Sequence, residues 1–188
     1  IERLSSHEDR GIRLKIVDVA RDCNRYDSRY RSILRSMTED KDAEVTSMAA
    51  VELARFGEKI NSAVIERIKN YLLSSKGMSS QVTTILYAVS AMGADGIQVY
   101  KALTEHGSSR MRTVAWQRFL SLSNGWNNPQ DWTAALKDRD QGVRNAVVNT
   151  LRGRISPINK KTMSSLVSSP YEDVRKFLAE SMARAESD

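Results

Sequence analysis

One pattern recurs six times along the chain, at intervals of 29 to 37 residues, and it constrains the fold more than any other feature. In each copy an apolar residue follows a polar turn and is the first of a series of apolar residues spaced four positions apart. These anchor residues are Ile12, Val45, Val82, Met111, Val143 and Val174. The positions four and eight residues after each anchor are apolar, with the single exception of Ser90. Because offsets of 0, 4 and 8 lie on one helical face, the pattern predicts six buried helical stripes.

Helix-capping residues stand three positions before the anchors in five of the six copies. They are Asp9, Asp42, Ser79, Ser108 and Asp140. A side-chain oxygen at this place accepts a hydrogen bond from a free amide at the helix start. The sixth copy has Tyr171 there, so we predict that its cap shifts to Ser169. Pro170 would then occupy the first helical position, and Glu172 would complete a capping box.

An apolar residue usually lies eight positions before the anchor as well, which predicts a leading helix and makes each copy a helix–turn–helix hairpin. The chain contains only 9 Gly and 3 Pro and shows no convincing period-two alternation, so we predict an all-α fold. We expect one domain over residues 1–188, cut from a longer chain. Its predicted repeats are 1–24, 28–57, 61–93, 95–123, 129–153 and 158–186.

Arginine follows the anchor in four copies, at Arg13, Arg112, Arg144 and Arg175. An aliphatic residue followed by Arg, after an Asp-containing turn, is the signature by which the chain resembles HEAT-repeat proteins. The resemblance covers nearly all 188 residues. It implies a right-handed α-α superhelix, or solenoid, of about six HEAT-like hairpins with one concave and one convex surface. It also implies that the turn aspartates and these arginines form a ladder between neighbouring repeats, so a structural role is favoured over ligand contact.

The net charge of +6 comes from one third of the chain, because residues 101–160 contain 10 basic and 4 acidic residues. If the second helices line the concave face, as the resemblance implies, four arginines would point into one groove. They are Arg112, Arg118, Arg144 and Arg152. Such a groove would attract phosphates or an acidic peptide. The alternative is an ordinary solvated surface, to which Arg110, Lys137, Arg139, Arg154 and Lys160 would also belong.

Two aromatic segments are candidates for recognition. In the segment RYDSRYR at 25–31, Tyr26 and Arg29 are of the residue types enriched at binding hot spots. In the segment NGWNNPQDW at 124–132, we expect Trp132 to be a core residue of a leading helix. We expect Trp126 to be partly exposed and available for recognition.

No residue set predicts catalysis, a metal or a cofactor. His7 and His106 are interpreted as exposed turn residues, and helix capping explains the pairs Asp40/Asp42 and Asp138/Asp140 better than metal binding does. The single cysteine, Cys23, excludes an intrachain disulfide. A remote alternative is a helical-repeat DNA glycosylase of the alkylation-repair class, whose tryptophans and carboxylate are similar in type to four residues here. These are Trp116, Trp126, Trp132 and Asp131.

These features together favour a non-catalytic scaffold that binds a protein or peptide partner on its concave face. The alternative function is binding of nucleic acid or another polyanion through the basic groove. The sequence contains no apolar run of 18 residues, so we expect a soluble protein without membrane insertion. The low cysteine count is compatible with the cytoplasmic location that we expect. It indicates no small-molecule substrate.

Overall fold

The structure, a computed structural model, describes residues 2–22, 28–152 and 166–185, and all regular elements in these ranges are helical. The α-helices are α1 (Glu2–Ser5), α2 (Arg10–Asp22), α3 (Ser28–Met37), α4 (Ala43–Arg55), α5 (Ser62–Ser74), α6 (Ser80–Val89), α7 (Ala94–Leu103), α8 (Ser109–Leu122), α9 (Pro129–Ala135), α10 (Gln141–Arg152) and α11 (Glu172–Ala185). Short 3₁₀ turns lie at Ser90–Met92 and Gly125–Asn127. The all-α prediction is therefore confirmed. Most of the predicted leading helix at 158–168 lies outside the described residues.

The chain divides into two compact units, residues 1–102 and 103–188, where the sequence predicts one continuous domain. Helix α4 is the centre of the first unit and packs against α2, α3, α5 and α6. All residues from Glu44 to Ala54 are buried, which requires its polar side chains to find partners inside the protein. The hydroxyl of Thr46 donates to the Asp40 carbonyl oxygen at 3.0 Å, and that of Ser47 donates to the Ala43 carbonyl at 2.6 Å.

Helix α7 approaches the end of α6 closely because Gly96 has no side chain. A Cβ atom at this position would lie 2.2 Å from the carbonyl oxygen of Val89. The fully buried Tyr100 fixes the same contact, since its hydroxyl donates to the Leu86 carbonyl and lies 3.0 Å from the Ser90 hydroxyl. This explains why Ser90 is the one polar residue of the stripe.

In the second unit, α10 packs against α8, α9 and α11, and the 3₁₀ turn at 125–127 packs against α8 and α9. Asn124 adopts the left-handed conformation, with φ of 57°, before this turn. The turn directs the indole of Trp126 into the unit, where it is 8% exposed.

The predicted helical stripe is buried at most of its positions. The anchors from Val45 to Val174 are at most 3% exposed, and the position four residues later is buried in all six hairpins. Among the predicted caps, the side chains of Asp9, Asp42, Ser79 and Asp140 accept hydrogen bonds from amides of the following helix. Ser108 occupies the N-cap position without a side-chain hydrogen bond to the helix.

The predicted start of the last helix is confirmed only in part. The Ser169 hydroxyl accepts a hydrogen bond from the Tyr171 amide at 3.3 Å, as a capping residue does, but the helix begins later than predicted. Helix α11 begins at Glu172, and Pro170 lies in the preceding turn rather than in the first helical position. The amide of Arg175 donates to the Tyr171 carbonyl at 3.2 Å, so the chain turns into the helix at Tyr171. The Tyr171 ring contacts the guanidinium group of Arg144, 3.7 Å from the ring centroid, and this contact holds the turn.

None of the helices in the described ranges combines the length and the apolar character that crossing a membrane requires.

Candidate functional site

Three of the arginines that follow an anchor form the same buried ion pair with a carboxylate from the next hairpin. Arg13 pairs with Asp40, Arg112 with Asp138, and Arg144 with Asp173. In each pair Nε and Nη2 donate to the two carboxylate oxygens at 2.7 to 3.1 Å. We call each of these pairs a rung. Two parallel charge-assisted hydrogen bonds fix the relative position of the two hairpins as well as neutralising the charges.

The third guanidinium nitrogen of each rung, Nη1, holds the turn of its own hairpin. It donates to the carbonyl oxygen six residues earlier, at 2.7 Å for Arg13, 2.9 Å for Arg112 and 2.8 Å for Arg144. In the second hairpin, Thr46 replaces arginine and donates to the equivalent carbonyl of Asp40. Arg67 of α5 donates to the same carbonyl. The turn carbonyl is therefore satisfied by different side chains in different hairpins.

The residue five positions before the anchor has the same role whether it is aspartate or histidine. Oδ1 of Asp40 and of Asp138 accepts a hydrogen bond from the amide two residues later, at 2.8 Å in both turns. Nδ1 of His7 and of His106 accepts the equivalent hydrogen bond at 3.0 and 2.9 Å. The prediction that His106 is an exposed turn residue is wrong, because it is 7% exposed. Its ring is buried as part of the turn that Arg112 holds.

The charges of the Arg112–Asp138 rung stabilise each other. Burial alone raises the pKa of Asp138, but the hydrogen bonds from Arg112 and from the Asp140 amide outweigh burial, so the pKa is lowered. The hydrogen bond to Asp138 raises the pKa of Arg112 despite partial burial. Both groups therefore stay ionised at neutral pH inside the second unit.

These rungs remove two arginines from the predicted basic groove. Arg112 and Arg144 are 4% and 5% exposed, and their donors face carboxylates and turn carbonyls rather than solvent. Arg152 is exposed but pairs with Glu180 at 2.6 Å, and Arg118 is half-buried on α8. The structure thus supports the structural role of Arg112 and Arg144 and does not assemble the four arginines into an accessible groove.

Two of the remaining basic residues in the predicted basic stretch line a cleft in the second unit. The cleft has a volume of about 300 Å³, and the exposed residues Lys137 and Arg139 line it together with Trp116. Arg110 is exposed at the start of α8. The predicted residues Arg154 and Lys160 lie outside the described residues.

Of the two tryptophans in the segment 124–132, one is placed where we expected it and the other is not. Trp126 is buried, and its indole nitrogen donates to the Ser121 hydroxyl at 3.0 Å, so the expectation of an exposed recognition residue is wrong. The loop around it follows no helical period, and nothing in its sequence marked the side chain as internal. Tyr26 lies outside the described residues, while Arg29 is exposed on α3. Trp132 is 3% exposed, as expected for a core residue.

The residues that resemble those of a DNA glycosylase are not gathered around one cleft, because Trp116 lines the cleft described above and the other three residues do not. All three tryptophans are at most 9% exposed, and Asp131 accepts a hydrogen bond from the Asn128 side chain at the start of α9. Trp116 packs edge-on against Phe119 with ring centroids 6.1 Å apart. Within residues 2–22, 28–152 and 166–185, no three His, Cys, Asp or Glu side chains are grouped to hold a metal ion.

A buried carboxylate outside the rungs, Glu52 of α4, gives the first unit a pH-dependent element. Its side chain is 1% exposed and accepts a hydrogen bond from Arg55 at 2.6 Å. Burial raises its pKa above the ordinary value of 4.5, although the charges of Arg55 and Arg21 oppose the shift. The folded state therefore retains this proton to a higher pH than the unfolded state does.

We expect the variant Glu52→Gln to gain stability relative to the parent as the pH rises from below 4.5 to neutral. The pKa of Glu52 is higher in the folded state than in the unfolded state. The parent therefore loses free energy of unfolding as the pH rises from 4.5 through the folded pKa, whereas the variant has no carboxyl group at this position to titrate. Urea unfolding at a series of pH values measures the difference. Glu66→Gln is a matched control, since Glu66 also pairs with a basic residue three positions later at 2.6 Å but is 55% exposed. The free energy of unfolding of Glu52→Gln minus that of the parent should increase with pH. If this difference stays constant or decreases, the argument from burial is contradicted.

No protein-family model matches the chain, and comparison with curated proteins finds no match.

Proposed function

We propose that the chain is a solenoid of HEAT-like helical hairpins that acts as a non-catalytic scaffold and binds a protein or peptide partner. The observation that carries this proposal is the rung, which occurs three times with the same atoms and the same two functions. Each rung joins the turns of successive hairpins side by side. Repeats joined in this way present extended surfaces, which suit an elongated partner better than a small molecule.

The charges favour a protein partner over a polyanion. Arg112 and Arg144 are buried in rungs and Arg152 pairs with Glu180. Among the described residues of the predicted basic stretch, three exposed cations are left without an ion pair of this kind. These are Arg110, Lys137 and Arg139. A site of three cations would lose about 40-fold in affinity between about 50 and 200 mM salt and would bind nucleic acid weakly at physiological salt.

Two measurements separate these functions. The first is fluorescence anisotropy with labelled duplex DNA and single-stranded RNA, using the parent and the triple variant Arg110→Glu/Lys137→Glu/Arg139→Glu. We expect weak binding that disappears in moderate salt. Tight binding that falls steeply with salt and is abolished in the triple variant would support the polyanion function instead.

The second measurement identifies the partner surface by crosslinking in cells followed by mass spectrometry. We expect a partner that is crosslinked at defined positions near Arg118 on α8 or Arg29 on α3, and that is retained at high salt. Its capture should be reduced by Arg118→Glu or Arg29→Glu but not by Glu66→Gln. Crosslinks spread over the whole surface, unchanged by either charge reversal, would reject a specific scaffold surface.

A further inference from the structure

The cleft of about 300 Å³ in the second unit borders the Arg112–Asp138 rung and is lined by side chains of two successive hairpins. Its basic residues outside the rung are Lys137 and Arg139, which are both exposed. Glu105, also exposed, is the one lining carboxylate outside the rung. Since the rung is neutral as a pair, two cations and one anion give the lining a net charge of +1.

Trp116 forms part of this lining and has an indole nitrogen without an acceptor. The side chain is 9% exposed, and Nε1 makes no hydrogen bond within the described part of the chain. The indole of Trp126, by contrast, donates to the Ser121 hydroxyl at 3.0 Å. Because a buried indole N–H group usually has a partner, the free donor of Trp116 indicates a place for an acceptor on a bound molecule. We call this site the Trp116 cleft.

A second cleft, of about 470 Å³, borders the next rung and lacks both features. The exposed charges of its lining, Glu172 and Lys176, cancel each other. Its aromatic residue is Tyr171, whose ring contacts the Arg144 guanidinium 3.7 Å from the ring centroid. None of its lining residues has a buried donor without a partner. A surplus of positive charge and a free buried donor therefore distinguish the Trp116 cleft from the ordinary space between two turns.

We propose that the Trp116 cleft binds a carboxylate of the partner, which accepts a hydrogen bond from Nε1 of Trp116 and pairs with Lys137 and Arg139. The carboxylate belongs to an acidic side chain or to a chain end of the protein bound in the scaffold function, on which this proposal rests. Since Nε1 has almost no exposed surface, the indole turns slightly toward the carboxylate on binding, a side-chain change that is common at interfaces.

The size and the charge of the cleft both favour a carboxylate. A volume of about 300 Å³ is at the lower end of the range for ligand pockets and admits a single side chain or chain end. A carboxylate, with one negative charge, neutralises the net charge of +1. A phosphate group carries nearly two negative charges at neutral pH, and Glu105 would repel the second.

The test is a titration of the isotope-labelled full chain with short peptides, followed through the indole N–H signals in NMR. One peptide has a central glutamate and an amidated end, and a second has glutamine in place of the glutamate. A third combines this glutamine with a free carboxyl terminus. We expect the Trp116 signal to shift with the first peptide, the third or both, which separates the side chain from the chain end as the source. It should not shift with the second peptide, and the Trp126 and Trp132 signals are internal references.

Three variants test the residues of the cleft. Lys137→Gln/Arg139→Gln should weaken peptide binding roughly tenfold, since exposed ion pairs contribute up to about fivefold each. This variant is expected to fold normally, because both side chains are exposed. Lys176→Gln is the matched control, since Lys176 is also exposed but lines the neighbouring cleft, and it should bind as the parent does. Trp116→Phe assigns the indole signal by removing it.

Equal shifts of the Trp116 signal with the glutamate peptide, the glutamine peptide and the free-carboxylate peptide would overturn the proposal. So would a larger shift with inorganic phosphate than with either carboxylate peptide, or unchanged peptide binding in Lys137→Gln/Arg139→Gln. Partner crosslinks in cells that persist undiminished in this double variant would reject the cleft and leave the scaffold function standing. A parent chain that binds the carboxylate peptides but captures no partner in cells would reject the scaffold function and leave the carboxylate site standing.

Discussion

Replacing Asp138 with alanine is expected to lower the free energy of unfolding by about 3–5 kcal/mol, the cost of breaking a buried ion pair by removing one partner. The side chains of Asp138 and Arg112 are 4% and 5% exposed, so the variant leaves a buried guanidinium group without its counter-charge. It also removes the acceptor of the Asp140 amide. Urea unfolding of the variant and the parent measures the difference.

Asp140→Ala is the control for this prediction, because Asp140 lies two residues away in the same turn and only caps α10. Its loss is expected to cost about 1 kcal/mol. Similar costs for the two variants would contradict the importance of the rung. The pH dependence offers an independent check. Since the folded pKa of Asp138 is lowered, the stability it contributes should be complete above the ordinary value of 3.8 and lost as the pH falls through the folded value.

Replacing Trp126 with alanine is also expected to destabilise the protein strongly, by about 3–5 kcal/mol, as for other buried large side chains. The indole is 8% exposed and fills the space beneath the 3₁₀ turn, and its nitrogen donates to Ser121. This result would be expected of a core residue. If Trp126 were instead a recognition residue, its replacement with alanine would reduce partner binding and leave folding intact.

Thermal and urea unfolding check the Trp126→Ala prediction, with Tyr87→Ala as the control. Tyr87 is 51% exposed, so its truncation should change stability by no more than about 0.5 kcal/mol. Unchanged stability of Trp126→Ala, together with weaker capture of a partner, would return Trp126 to the set of recognition residues.

The helices were predictable because their signal is repeated and periodic. The spacing of four after each anchor, the capping residues and the scarcity of Gly and Pro place the described helices within a few residues of their observed ends. The structural role of Arg112 and Arg144 was also predictable, since the Asp turn and the arginine recur together.

The carboxylate that pairs with each arginine was harder to predict from the sequence. Within one helix, Asp140 and Arg144 have the spacing of a favourable i,i+4 pair, but the arginine instead reaches Asp173, 29 residues later. The role of His106 was missed because histidine was compared with metal and catalytic motifs. The signal was its alignment with Asp40 and Asp138, five residues before an anchor, where an acceptor for the turn amide is required.

The burial of Trp126 and the start of α11 at Glu172 depend on contacts that no local pattern encodes. Trp126 lies in a loop whose direction is set by the left-handed conformation of Asn124 and by packing against α8 and α9. At the start of α11, Tyr171 contacts Arg144 of the preceding hairpin, and Ser169 accepts the Tyr171 amide in the turn before the helix.

The central claim is that the arginines after the anchors join successive hairpins through paired carboxylates, and a double-mutant cycle on Arg112 and Asp138 tests it most directly. The free energies of unfolding are measured for the parent, Arg112→Ala, Asp138→Ala and the double variant. We predict that the double variant is more stable than the sum of the single losses implies, with a coupling energy of at least about 1.5 kcal/mol. Single losses that add within about 0.5 kcal/mol would show that the two side chains act independently and would contradict the claim.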